Sequence, residues 1–159
     1  MTSSRFEIPP FVNEVMLLNA YLDRARPIPE IAQFASASLL RAHGFLPREQ
    51  GSVAGCFREI GIAIWEDICG PSDGDRVYFV QASSDGLIKI GHSTSVASRL
   101  AVLQASSPVK LRLLLDVPGG APLEMFLHEA FAVWRQHGEW FSPCPALLTL
   151  IAQFAQETR

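Results

Sequence analysis

The chain has no C-x-x-C pair, and its three cysteines, Cys56, Cys69 and Cys144, are odd in number and widely spaced. A zinc ribbon and a disulfide framework are therefore not indicated, and the thiols are expected to pack as small apolar side chains. Long apolar runs are also missing. Runs such as Gly61 to Trp65 and Leu113 to Leu115 are far too short to cross a bilayer. No apolar segment follows Met1 to Pro10 that could serve as a secretory signal, so the expected location is cytoplasmic. A basic footprint is lacking: residues 1–75 hold six Arg and no Lys against ten acids, giving −4, and residues 76–159 hold seven basic and six acidic residues, giving +1. That balance argues against a tight, non-specific nucleic-acid binder. His128-Glu129 is not part of an H-E-x-x-H, and neither G-x-x-x-x-G-K nor G-x-S-x-G occurs, so nucleotide-driven and serine-hydrolase chemistry have no support.

Apolar side chains are plentiful, at 48% of 159 residues, enough for a buried core. Helical spacing predicts a helix from Phe11 to about Arg24, a second from Pro29 to Gly44, and a third after Ser52 that buries Val53, Cys56, Phe57 and Ile60. Such a three-helix array with a Gly-bearing turn resembles helix-turn-helix packing, but Glu59, Glu66 and Asp67 on the last helix would repel phosphate. Residues 1–72 thus read as a helical module for DNA or a protein partner. The turn formers Gly70 to Asp75 mark the boundary with a second domain over residues 75–159.

That second domain opens with Val77-Tyr78-Phe79-Val80 and Leu87-Ile88-Lys89-Ile90, two strands around Asp85-Gly86, which has the signature of a tight hairpin turn. Gly91 is expected to end the second strand. Ser93 to Ser95 offer N-caps for a helix carrying Val96, Leu100 and Leu103 on one face, with Arg99 beside that stripe. A third strand is predicted from Val109 to Val117, then a long helix from Ala121 to Gln136 with Leu123, Leu127, Phe131 and Trp134 inward, and a last helix from Ala146 to Phe154. Glu124 and His128, four apart, share a face of the long helix. The predicted fold is α+β: a three-stranded antiparallel or mixed sheet flanked by helices, after a small all-α module.

Taken in order, V-Y-F at Tyr78, I-K-I-G at Lys89, Arg99 on a following helix, Glu124 in E-x-x-x-H and the closing G-E-W-F of residues 138–141 resemble the GIY-YIG nuclease superfamily. Lys89 stands where many members carry a second tyrosine, as in the branch rich in phage and bacterial proteins. The resemblance covers residues 76–142, a little under half the chain. It implies metal-dependent hydrolysis of DNA phosphodiesters. Tyr78 would deprotonate or position the attacking water. A phenol is a poor base at neutral pH, and a cation beside it favours the phenolate, which gives Lys89 a role. His92 would hold or relay the proton, and Arg99 would stabilise charge on the phosphate. Glu124 would bind Mg²⁺ or Mn²⁺ in a one-metal site. His128 ranks second, and Glu139 is the rival for the metal. The alternative is a catalytically inactive module of the same fold that binds DNA or protein, which would be favoured if Arg99 and Glu124 merely neutralised each other.

Overall fold

The computed structural model describes residues 6–13, 16, 17, 20, 61, 62, 64–70 and 73–158, and divides into two compact units, Met1–Asp67 and Ile68–Arg159. The helices predicted over 11–24, 29–44 and after Ser52 fall largely outside the described residues, as does Cys56. Within the first unit, Met16, Leu17, Ala20 and residues 61, 62 and 64–67 are helical. Phe6, Leu17, Ile64 and Trp65 are buried there, and the Trp65 indole donates to the Phe6 carbonyl at 2.8 Å.

The second unit is built on an antiparallel sheet of strands β1 (Arg76–Ala82), β2 (Ile88–Ser93), β3 (Leu111–Pro118), β4 (Arg135–His137) and β5 (Trp140–Phe141). Their spatial order is β3-β1-β2-β5-β4, so the predicted hairpin forms the centre. Five strands replace the expected three. The predicted long helix stops early: α2 covers Ala121–Ala130, a 3₁₀ turn over Ala132–Trp134 follows, and the chain then enters β4. Gly138, at φ +54°, turns it back into β5. Trp134, placed inward by the helical extrapolation, is 38% exposed because that extrapolation ends at Phe131.

Helix α1 (Val96–Ala105) covers one face of the sheet, where Val96, Leu100 and Leu103 pack on Tyr78, Val80 and Leu111 as their spacing predicts. None of the three serines caps it through a side chain; instead Ser93 Oγ accepts from the Ser95 amide. Helix α2 packs on β2 and helix α3 (Pro145–Glu157) on β3. α3 buries Leu147, Leu150, Ile151 and Phe154, an i, i+3, i+4, i+7 stripe. Because helices cover both faces, β1 is buried at Val77 to Gln81 without alternation. Each large apolar side chain so enclosed contributes about 1.5–3 kcal/mol.

Two local expectations change. The β1–β2 connection is not an Asp-Gly tight turn: the left-handed residue is Ser83 at φ 60°, while Gly86 packs so closely on the Ala82 carbonyl that a Cβ would lie 2.1 Å from its oxygen. Nor does Gly91 end β2, which continues to Ser93. Gly91 pairs with Tyr78 across the ladder, and a Cβ there would stand 2.4 Å from the Tyr78 hydroxyl. The glycine is required by the phenol lying across its backbone.

Gly91→Ala is therefore expected to destabilise the domain by about 1–3 kcal/mol through overpacking, read as a lower thermal midpoint. An unchanged midpoint would contradict this placement of Tyr78.

Candidate active site

β5 pairs with β2 only at Ile88 and Lys89. One residue further, the Ile90 amide donates to the Glu139 carbonyl at 3.1 Å, and beyond that the strand's outer edge has no further strand partner. Side chains complete it. His128 Nε2 lies 2.8 Å from the Ile90 carbonyl, and Glu124, one turn earlier on α2, reaches the same place with Oε1 3.6 Å from His128 Nε2. The predicted i, i+4 stacking of Glu124 and His128 is thus present. The His128 ring rests 5.3 Å from that of Phe141.

Lys89 is one of the few buried polar side chains, 6% exposed, and not the solvated side chain of an edge strand. It forms an ion pair with Glu139 and lies 6.0 Å from the Trp140 ring. The expected pairing of Lys89 with Tyr78 gives way to this carboxylate. A carboxylate oxygen of Glu139 in turn lies within 4.8 Å of one on Glu124. The two glutamates are driven apart in proton affinity. Burial raises Glu124, the charge of His92 offsets it in part, and Glu139 beside it pushes the same way. Burial alone would raise Glu139 as well, but the hydrogen bond and charge of Lys89 outweigh it and hold that carboxyl below its ordinary value. Glu124 accordingly holds its proton more tightly than Glu139 does.

His92 bridges two carboxylates, with Nδ1 2.9 Å from Asp75 Oδ2 and Nε2 3.2 Å from Glu124 Oε2. Asp75, which the sequence marks only as a boundary residue, is the group that orients this imidazole. Burial lowers the proton affinity of His128, and its neutral ring donates from Nε2 to Ile90, so that nitrogen has no lone pair to offer. Potential ligand atoms of Glu124, His128 and Glu139 nevertheless lie within 4.8 Å of one another. Of these, the two carboxylates suit a hard divalent ion such as Mg²⁺ or Mn²⁺. A second carboxylate thus joins the single one expected.

Tyr78 is 2% exposed, its ring held by Val80, Leu111 and α1. Its hydroxyl makes no hydrogen bond to a described residue, although no nitrogen or oxygen of this side chain is sealed from solvent without a partner. Arg99 is exposed one turn into α1 and forms no ion pair with a described acid. Arg99 and Glu124 therefore do not neutralise each other. Tyr78, Lys89, His92, Glu124, His128 and Glu139 converge on the Ile90–His92 stretch of β2, whereas Arg99 stands on the helix that follows. The overall charge balance conceals a local asymmetry: residues 86–115 contain Lys89, Arg99, Lys110 and Arg112 and no acid.

The two glutamates should respond oppositely to neutralisation in metal-free buffer. A carboxyl with a raised folded pKa favours folding below its unfolded value of about 4.5 and loses that contribution as pH rises through the folded value. Glu124→Gln should raise the thermal midpoint at pH 7–8 by a few degrees, a gain that disappears below pH 4.5. Glu139→Gln leaves the Lys89 ammonium without its partner and should cost roughly 1–3 kcal/mol, reduced from a fully buried pair because Glu139 is part-exposed. Equal shifts of the same sign would contradict the assignment of the proton.

A protein-family model described as the T5orf172 domain matches residues 75–154, half of the chain and nearly all of the second unit. Comparison with curated proteins and with solved structures returned no match. The matched span begins at Asp75 and includes Tyr78, Lys89, His92, Arg99, Glu124, His128 and Glu139. With five antiparallel strands and three helices bringing all but one of these to one strand edge, the chain belongs to the T5orf172 domain family, a nuclease-like group with phage associations.

Proposed function

We propose that the chain is a metal-dependent endonuclease of GIY-YIG type that hydrolyses DNA phosphodiester bonds at the outer edge of β2. The observation that carries this reading is the Glu124–Glu139 pair: two carboxyl groups with oxygens within 4.8 Å of each other, one of them ion-paired to a buried lysine. A purely structural carboxylate pair gains nothing from that arrangement, since burial of Glu124 opposes its ionisation. A divalent ion held between them would supply Lewis acidity and stabilise the departing oxygen.

The remaining roles follow from what each side chain is free to do. Tyr78, its ring held in place and its hydroxyl making no hydrogen bond to a described residue, positions the attacking water. That water forms the new P–O bond and passes its proton to solvent as the ester P–O bond breaks, and the released alcohol oxygen takes up a proton from solvent in turn. Lys89 fixes the Glu139 carboxylate, and Asp75 with His92 fixes Glu124 from the other side. Arg99, exposed and forming no ion pair with a described acid, is available to a phosphate oxygen and would stabilise the charge that develops there. Within the acid-free stretch 86–115, Lys89 is taken up by Glu139, but Arg99, Lys110 and Arg112 stand exposed on α1 and at the start of β3, so a chain of net charge −3 still carries a segment suited to a phosphate backbone.

Supercoiled, linear and branched DNA incubated with Mg²⁺ or Mn²⁺ should be nicked or cut by the intact chain and left untouched in EDTA. Tyr78→Phe should slow cleavage by about 10²-fold or more, and Glu124→Ala should reduce it to background. Cleavage that survives Glu124→Ala, or none by the intact chain on any substrate, would overturn this reading.

A further inference from the structure

The β4–β5 hairpin ends in Glu139, yet its other strand and the turn before it play no part in the site described. Ala132 to Gly138 are all exposed. Val133 is 84% exposed and Trp134 38%, an apolar pair presented to water. Their backbone is firmly held: the Trp134 amide donates to the Phe131 carbonyl at 2.9 Å, and its carbonyl accepts from the Ser142 amide at 2.8 Å. The flanking side chains are pinned as well. Arg135 lies over the Phe141 ring at 5.4 Å, Gln136 donates to Ser142 Oγ, and the His137 ring stands 6.4 Å from that of Trp140. No acid occurs from Ala130 to Gly138, which carries Arg135 and His137.

A rigid turn that presents a part-exposed aromatic and a branched aliphatic side chain side by side, next to a cation and five residues from Glu139, is a preformed surface for an apolar partner. The occupant must be apolar on its face and tolerate or favour positive charge at its rim. A nucleobase attached to a phosphate backbone meets both demands: bases stack on aromatic side chains, and apolar wedges enter between unstacked base steps. We propose that the Val133–Trp134 turn contacts unstacked bases and gives the domain a preference for forked or single-stranded DNA over intact duplex. This rests on the reading of the domain as one that acts on DNA, but not on hydrolysis itself.

The test is equilibrium binding of the full chain, in metal-free buffer, to fluorescently labelled duplex, forked and single-stranded oligonucleotides of equal length. The fork and single strand should bind more tightly than the duplex. Trp134→Ala should weaken binding to them by roughly tenfold while changing duplex binding little, and Trp134→Phe should retain most of the preference. Because Trp134 also touches Phe131, Val133→Ser serves as a second variant that disturbs no packing; it should lower fork affinity in the same direction by a smaller factor. Equal losses on duplex and fork, or a fork preference unaffected by all three substitutions, would overturn the inference while leaving the nuclease reading intact. Failure to bind any of the DNAs would overturn both. Trp134-dependent fork binding by a chain that never cleaves would uphold this inference and sink only the nuclease.

Discussion

A lysine ammonium lies inside the sheet at the point where the central strand loses its neighbour. An ion taken from water must be answered by an opposite charge, or it costs several kcal/mol. Lys89 is answered by Glu139, and that single pairing organises the edge. It fixes the β4–β5 turn, because Glu139 must face inward from a chain reversal. It sets the proton distribution, because an ionised Glu139 beside the buried Glu124 favours the protonated form of the latter.

The shortness of β5 matters as much. A longer strand would have covered the Ile90 carbonyl and excluded α2's side chains from β2. With two residues only, the edge is finished by an imidazole, which satisfies the Ile90 carbonyl, and by two carboxyl groups beside it, a cluster that folding alone does not favour. Functional sites commonly store unfavourable electrostatics that surrounding packing must offset, and here the offset comes from a β1 strand buried on both faces and from three helices.

Much of this could be read from the residues. Runs of β-branched, aromatic and apolar residues on either side of Asp85-Gly86 located β1 and β2, and the Val96, Leu100, Leu103 stripe located α1 to within a few residues. Some of the clustering was legible as well, since Glu124 and His128 stack at i, i+4 and reach the Ile90–His92 stretch that follows Lys89. What was not legible had physical reasons. β4 and β5 are too short for a periodic pattern, and Arg135-Gln136-His137 is wholly polar, so helical periodicity was carried past Phe131 into a region that long-range pairing makes extended. Gly91 gave a turn signal because glycine usually does; its actual cause, a phenol crossing from the neighbouring strand, depends on register. The Asp75–His92 and Lys89–Glu139 pairs span 17 and 50 residues, beyond the reach of local pattern. The helical predictions for residues 11–24, 29–44 and after Ser52 fall largely outside the described part of the chain.

The central claim is that the Glu124–Glu139 pair holds a divalent ion at the edge of β2. Its most direct test is a Mn²⁺ titration followed through the imidazole proton resonances. Stoichiometric Mn²⁺ should broaden the His92 and His128 signals beyond detection, and Glu124→Gln should abolish that broadening at the same concentration. Signals that survive saturating Mn²⁺, or that broaden equally in Glu124→Gln, would contradict the account.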